Sequence, residues 1–145
     1  MKIPRMTVVT LGVSNLAAST AFYCEIFSTP PITENEGVTF FPLPGVWLSL
    51  YPLEKLAEDI GEEVQLPAVG NFRGFTIAYN AHSKDEISAI FSRAAEAGAH
   101  IAKAPQDTFW GGHSGYFSDP DGHYWEVAWG PMFDFTEHGD LRFKT

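Results

Sequence analysis

Apolar and polar positions along the chain fall into two similar series of predicted elements. In the first series, the apolar, β-branched run from Met6 to Val13 predicts a buried strand. Apolar residues at helical spacing predict a helix from Leu16 to Phe27, with Asn15 as its N-cap. Three extended pieces, separated by Pro and Gly residues, are then predicted at 32–35, 38–41 and 46–51.

The second series follows a predicted short helix at 52–60 and a loop at 61–71. A strand is predicted at 72–80, and Ser83 with Glu86 gives the capping-box pattern of a helix start. Gly98 marks the end of that helix. A short strand at 100–103 and a hairpin at 115–129 complete the series, so the second half repeats the first.

The repetition predicts the fold class. An offset of 68 residues places Val8 on Thr76 and the cap Asn15 on the cap Ser83. Self-similar units pack as equivalent modules, so we predict an α+β fold in which two βαβββ modules form a curled, mixed β-sheet cup with helices outside. The chain is predicted to be a single domain, 1–145, with modules at 6–51 and 72–131, a linker at 52–71 and a C-terminal tail at 132–145.

The clearest motif is the stretch from Gly115 to Pro131. Asp119-Pro120-Asp121-Gly122 has turn chemistry, and aromatic and β-branched runs flank it. On the outgoing strand, alternation puts Glu126 on the face opposite Trp125 and Val127. A carboxylate in such apolar surroundings is paired, bound to a cation or at the mouth of a pocket, because an unpaired buried charge is too costly.

The composition of the chain limits the kinds of partner that it can bind and the compartment that suits it. The chain has 145 residues, nine Lys plus Arg against 18 Asp plus Glu, and a net charge of −9, so nucleic acid and membrane partners are not expected. Cys24 is the single cysteine, which excludes an internal disulfide and is compatible with a reducing compartment. Without an apolar signal core or a membrane-spanning run, we expect a cytoplasmic protein.

The run TLGVSNLAASTAFYCEIF and the ending SGYFSDPDGHYWEVAWGP resemble the vicinal oxygen chelate superfamily. This superfamily includes glyoxalase I, bleomycin-resistance proteins, methylmalonyl-CoA epimerase and extradiol dioxygenases. The resemblance covers nearly the whole chain. It implies the paired-module fold and a homodimer in which the sheets of two chains complete each cup.

In metal-dependent members, the resemblance implies ligands on the first and last strand of each half, usually His and Glu or Gln. The matching positions here are Val8, Thr76, Glu126 and Leu48, or Ser49 if the register shifts by one residue. Only Glu126 is a ligand of the expected type. Because such sites need several preorganised ligands, we expect no cofactor and no divalent metal centre.

Strand parity and loop composition predict the residues that line the cup. His113 lies beside Trp110 and a flexible glycine pair, whereas His82, His100, His123 and His138 are predicted to be exposed. Tyr79 is expected to point toward the helices. The predicted ligand-binding residues are Val8, Thr10, Leu48, Leu50, Thr76, Trp110, His113 and Glu126.

Two functional hypotheses remain open. In the first, the protein resembles the bleomycin-resistance branch and binds a small, mainly hydrophobic molecule without changing it. In the second, it is a lyase, isomerase or dioxygenase of the superfamily's kind, either metal-free with Glu126 as general base or metal-dependent through ligands not identified above. Glu126 itself is either a pocket acid or base, or a carboxylate that is hydrogen-bonded for structural reasons.

Overall fold

The computed structural model describes every residue from Met1 to Thr145, in two units, Met1–Arg73 and Gly74–Thr145. The first unit contains β1 (Val8–Val13), α1 (Leu16–Ile26), β2 (Thr39–Phe41), β3 (Trp47–Pro52) and α2 (Leu53–Ile60). The second contains β4 (Ile77–Asn80), α3 (Lys84–Glu96), β5 (His100–Asp107), β6 (His113–Ser118), β7 (Tyr124–Trp129), β8 (Phe133–Phe135) and β9 (Leu141–Phe143).

The sheet of the first unit has the strand order β1-β3-β2. β1 runs parallel to β3, which is antiparallel to β2. Ile32 adds an isolated antiparallel bridge to Phe40 in place of the predicted strand at 32–35. As predicted, the side chain of Asn15 caps α1, where it accepts a hydrogen bond from the backbone N of Ala18 at 3.0 Å.

One face of this sheet and one face of α1 form the core of the unit. The rings of Tyr23 and Phe41 lie 6.3 Å apart with their planes inclined at 61°, an edge-to-face geometry that aromatic pairs favour. The buried apolar side chains of the unit are Leu11, Val13, Phe22, Tyr23, Phe41, Leu48 and Leu50.

The sheet of the second unit has the strand order β4-β7-β6-β5. β4 runs parallel to β7, whereas the β7–β6 and β6–β5 pairs are antiparallel. α3 packs against β6 through Phe91, whose ring lies 5.7 Å from that of Phe117. The Ser83 hydroxyl accepts from the Glu86 backbone N at 3.2 Å, as the capping-box prediction requires.

The predicted turn at 119–122 joins β6 to β7. The Gly122 backbone N donates to the Asp119 carbonyl at 3.0 Å, and Gly122 has a φ of +81°, a conformation that favours glycine. His123 was expected to be exposed, but only 5% of its surface is accessible. The turn folds His123 inward, because the Asp119 carboxylate accepts its backbone N at 2.9 Å.

Two strand boundaries differ from the predictions by four residues or more. The strand predicted at 72–80 begins only at Ile77, after Gly74 with its positive φ of +83°. β5 extends to Asp107, beyond the predicted end at residue 103. The C-terminal tail at 132–145, for which no element was predicted, contains the β8–β9 hairpin. No helix in the chain is long and apolar enough to span a bilayer.

Candidate functional site

Glu126 lies on the face of the second sheet that points away from α3. Pairing places Glu126 between Ala78 on β4 and Tyr116 on β6. Residues paired directly across strands share a face, and their neighbours along each strand face the other way. Phe117 and Trp125 are therefore on the α3 side, where both are buried, and the partly exposed Glu126 is on the other side.

Tyr116 holds the Glu126 carboxylate in place. The Tyr116 hydroxyl donates to Oε2 of Glu126 at 2.9 Å in a partly buried setting. Burial, followed by the hydrogen bond to Glu126 and the charge of its carboxylate, raises the pKa of Tyr116. The phenol therefore remains a neutral donor at physiological pH. Oε1 is left to accept a hydrogen bond or a proton from a bound molecule.

Trp110 covers one end of the same face. A Cβ atom on Gly112 would lie 1.9 Å from the Trp110 ring, and one on Gly130 would lie 2.8 Å from it. Both Cβ positions point to the Glu126 side by strand alternation, so the indole lies on that side. Gly130 is four residues beyond Glu126, a separation of about 13 Å along a strand.

The floor between Trp110 and the Tyr116–Glu126 pair is made of small side chains. Ser114 and Ala128 pair with each other there and are only 6% and 4% exposed. On the edge strand β5, Lys103 pairs with Tyr116 and adds a cationic side chain to this face. The result is a face with a floor of small side chains, one indole and one anchored carboxylate.

His113 is not brought to this surface. It pairs with Trp129, three residues from Glu126, and so lies on the α3 side of the sheet. Its Nδ1 is 2.9 Å from Oδ1 of Asp107, and Nζ of Lys84 is 3.0 Å from the same oxygen. The hydrogen bond with His113, then that with Lys84, lowers the pKa of Asp107. His113 therefore contacts Asp107 on β5, on the side of the sheet opposite Glu126.

In the first unit the register corrects two predicted lining residues. Thr10 pairs with Ser49, and Val8 pairs with Trp47, so these four share the face away from α1. Leu48 and Leu50 lie on the opposite face and are 3% and 0% exposed. They belong to the core beneath α1, and Ser49 takes the place that was assigned to Leu48.

Three of the four positions that correspond to the superfamily's metal ligands do not suit a metal. Val8 offers no donor atom, and the hydroxyls of Thr76 and Ser49 are poor ligands for such ions. No group of three or more His, Cys, Asp or Glu side chains in the chain could hold a metal ion. Thr76 is exposed and immediately precedes β4.

Sequence reasoning identified Glu126 but not Tyr116, Ser114 or Lys103. The signal for Tyr116 was present in the hairpin. Once the turn at 119–122 is accepted, folding the two strands back on each other brings Tyr116 opposite Glu126. Lys103 could not be found this way, because the pairing of β5 with β6 shifts on both sides of it.

Comparison with known proteins shows the family. Residues 5–127 match the family model described as the Glyoxalase/Bleomycin resistance protein/Dioxygenase superfamily. The chain belongs to this superfamily, and the recognition made from the sequence motifs is confirmed.

Relatives and solved structures agree with this assignment. A protein named metallothiol transferase FosB from Shouchella clausii is 31% identical over 133 residues, which cover 89% of this chain and 82% of the relative. The structure of a glyoxalase-related enzyme from Fulvimarina pelagi has a TM-score of 0.85 and 30% identity, covering 99% of this chain and all of the other. The predicted mixed-sheet fold class is thus confirmed.

A further solved structure is a genomically encoded fosfomycin resistance protein, FosX, from Listeria monocytogenes. It has a TM-score of 0.66 and 26% identity, with coverage of 90% of this chain and 97% of that one. These similar proteins share one fold but have different names. The fold by itself therefore does not assign an activity.

Proposed function

We propose that the protein binds a small, mainly hydrophobic molecule on the Glu126 face, as a binding protein that resembles the bleomycin-resistance branch. The observation that carries this proposal is the Tyr116–Glu126 hydrogen bond of 2.9 Å, which leaves one carboxylate oxygen available. The small floor at Ser114 and Ala128 supplies apolar contact. Trp110 offers a flat wall on the same side.

The chemistry of the face defines the ligand class. A carboxylate acceptor next to an aromatic wall favours an apolar body with one amine or hydroxyl donor. A charge-assisted hydrogen bond to Glu126 would orient the donor, and the ring of the ligand would lie toward Trp110. We also propose that the protein acts in the cytoplasm, since its one cysteine suits a reducing compartment.

The test is a titration followed by NMR, with phenethylamine and phenethyl alcohol as probes. Binding should shift the indole N–H signal of Trp110, and Glu126→Gln should weaken phenethylamine binding about tenfold or more because the charge-assisted bond is lost. Glu96→Gln, on the exposed side of α3, removes the same charge elsewhere and should leave the affinity unchanged. Equal affinity in the E126Q and E96Q variants would contradict the proposal.

A second candidate is an enzyme in which Glu126 accepts a proton, and the names of the relatives favour it. Such an enzyme would be a lyase, an isomerase or a dioxygenase, or it would transfer a thiol, as the name of the relatives indicates. The four metal-ligand positions do not support the metal-dependent form. Loss of fosfomycin in the presence of a small thiol, abolished by Glu126→Gln with binding retained, would favour the enzyme over the binding protein.

We also propose that the chain forms a homodimer. Val8, Val46 and Trp47 of the first unit are each at least 36% exposed. Clustered exposed apolar residues of this kind favour association with another surface. A second copy is the partner that the family resemblance implies.

A further inference from the structure

A separate groove lies where β7 leads into the C-terminal hairpin. It has a volume of about 230 Å³ and is lined by residues that include His82, Trp129, Phe133, Asp134, Phe135 and Lys144. Glu126, Tyr116 and Trp110 do not line it. Trp129 belongs to the α3 side of the sheet, because its strand neighbour Ala128 shares the face of Glu126.

The walls of the groove are flat aromatic rings. The rings of His82 and Phe135 stack with centroids 4.1 Å apart and planes inclined at 27°. Phe133 stacks on Phe143 of the facing strand at 5.4 Å. Nζ of Lys84 lies 5.6 Å from the centre of the Trp129 ring. Planar walls favour a planar ligand, since aromatic pairs prefer stacked and edge-to-face contacts.

The charges around the groove favour an anion. The acidic group that lines it, Asp134, is engaged by Nη2 of Arg142 at 3.2 Å and by the backbone N of Phe135 at 2.9 Å. The backbone hydrogen bond from Phe135, followed by the contact with Arg142, lowers the pKa of Asp134. Lys144 also lines the groove. The charge of Lys144 also lowers the pKa of Asp134, so Asp134 stays ionised and lies near two basic side chains. Asp134, Arg142 and Lys144 together carry one net positive charge, in a chain whose net charge is −9.

We propose that this groove is a second ligand site, which binds a small planar carboxylate with its ring among His82, Trp129 and Phe135 and its carboxylate on Lys144. The volume limits the ligand to about one ring, because pockets for drug-sized molecules span about 300–1,000 Å³. A carboxylate and an ammonium group form a charge-assisted hydrogen bond. This proposal is independent of the Glu126 face.

The test uses the full chain and three one-ring probes of similar size, namely benzoate, benzamide and benzylamine, in an NMR titration. Benzoate should shift the indole N–H of Trp129 and the ring protons of His82, and it should bind more tightly than the other two probes. Lys144→Met should weaken benzoate binding about three- to tenfold, as expected for a partly exposed charge pair. Lys55→Met, on α2, should leave it unchanged.

Phe135→Ala separates stacking from charge, because it removes the ring that stacks on His82 and keeps Lys144. It should weaken benzoate and benzamide alike. Three results would overturn the proposal: equal binding of benzoate and benzylamine, equal effects of the K144M and K55M substitutions, or shifts at Trp110 with none at Trp129. The last would place benzoate on the Glu126 face instead.

Discussion

At the scale of single residues, Glu86 links β4 to the start of α3. Its carboxylate accepts the His82 backbone N at 2.7 Å and the hydroxyl of Tyr79. Burial, and then the hydrogen bond and charge of Glu86, raise the pKa of Tyr79 from 10.0 to about 12. The expectation that Tyr79 points toward the helices is therefore confirmed.

This contact predicts a loss of stability in alkali. A group whose pKa is raised by folding contributes stability that is complete below its unfolded pKa and is lost as the pH rises through the folded value. For Tyr79 the window runs from pH 10.0 to about 12. The stability difference between wild type and Tyr79→Phe should be constant below that window and shrink across it, as measured by urea unfolding.

Tyr51→Phe is the matched control for that measurement, since it removes a phenol hydroxyl from β3 in the first unit. Tyr51 does not donate to Glu86, so this variant shows what the loss of a phenol hydroxyl costs without that contact. A Tyr79→Phe difference that stays constant to pH 12 would show that the hydrogen bond to Glu86 does not govern the ionisation of Tyr79.

The position of a single residue could be predicted from the sequence where a local rule determines it. Glu126 and the caps Asn15 and Ser83 were placed by strand alternation and cap chemistry, which act within a few residues. Leu48 could not be placed in this way. Its face depends on where β3 pairs with β1, and a shift of one residue exchanges the two faces.

At the scale of elements, the packing of α3 on β6 depends on the absence of a side chain at Gly115. A Cβ atom there would lie 2.7 Å from the Lys103 carbonyl and 2.7 Å from the Phe91 ring. Contacts below 3.0 Å essentially never occur for real Cβ atoms. β5, β6 and α3 therefore approach each other closely at this point.

Gly115→Ala should destabilise the fold by about 1–3 kcal/mol, because the added methyl group overpacks a well-packed site. The measurement is the free energy of unfolding in urea. Ala102→Ser, which adds one atom at an exposed position on the neighbouring strand β5, should change it by less than about 0.5 kcal/mol. A stability unchanged by Gly115→Ala would mean that α3 can shift away without cost.

The elements themselves were largely predictable, and their ends were less so. Helix α1 and the β6–β7 hairpin follow from apolar periodicity and turn residues. β5 extends to Asp107 because Asp107 pairs with His113 across the loop. No local pattern between residues 104 and 107 signals that pairing, so it could not be predicted from the run itself.

At the scale of the whole molecule, the internal repeat carried the prediction of fold class. Each βαβββ module places a parallel pair between its first and last strands, β1 with β3 and β4 with β7. The equivalence extends to the register, since Thr10 opposes Ser49 as Ala78 opposes Glu126. At this position the first unit has the hydroxyl of Ser49, and the second unit has the carboxylate of Glu126. The two equivalent sheet faces therefore differ in their chemistry.

The exposed face of the first unit gives the last prediction, on assembly. Val8 and Trp47 are paired neighbours on that face, 43% and 40% exposed, so a second copy that covers them would gain apolar burial. Sedimentation velocity at about 10 µM should show a dimer, because a chain that associates with a Kd of about 1 µM or tighter is mostly dimeric at that concentration. Trp47→Glu should yield monomers, and Phe109→Glu, at a fully exposed loop position, should not. A wild-type monomer at that concentration would exclude the homodimer.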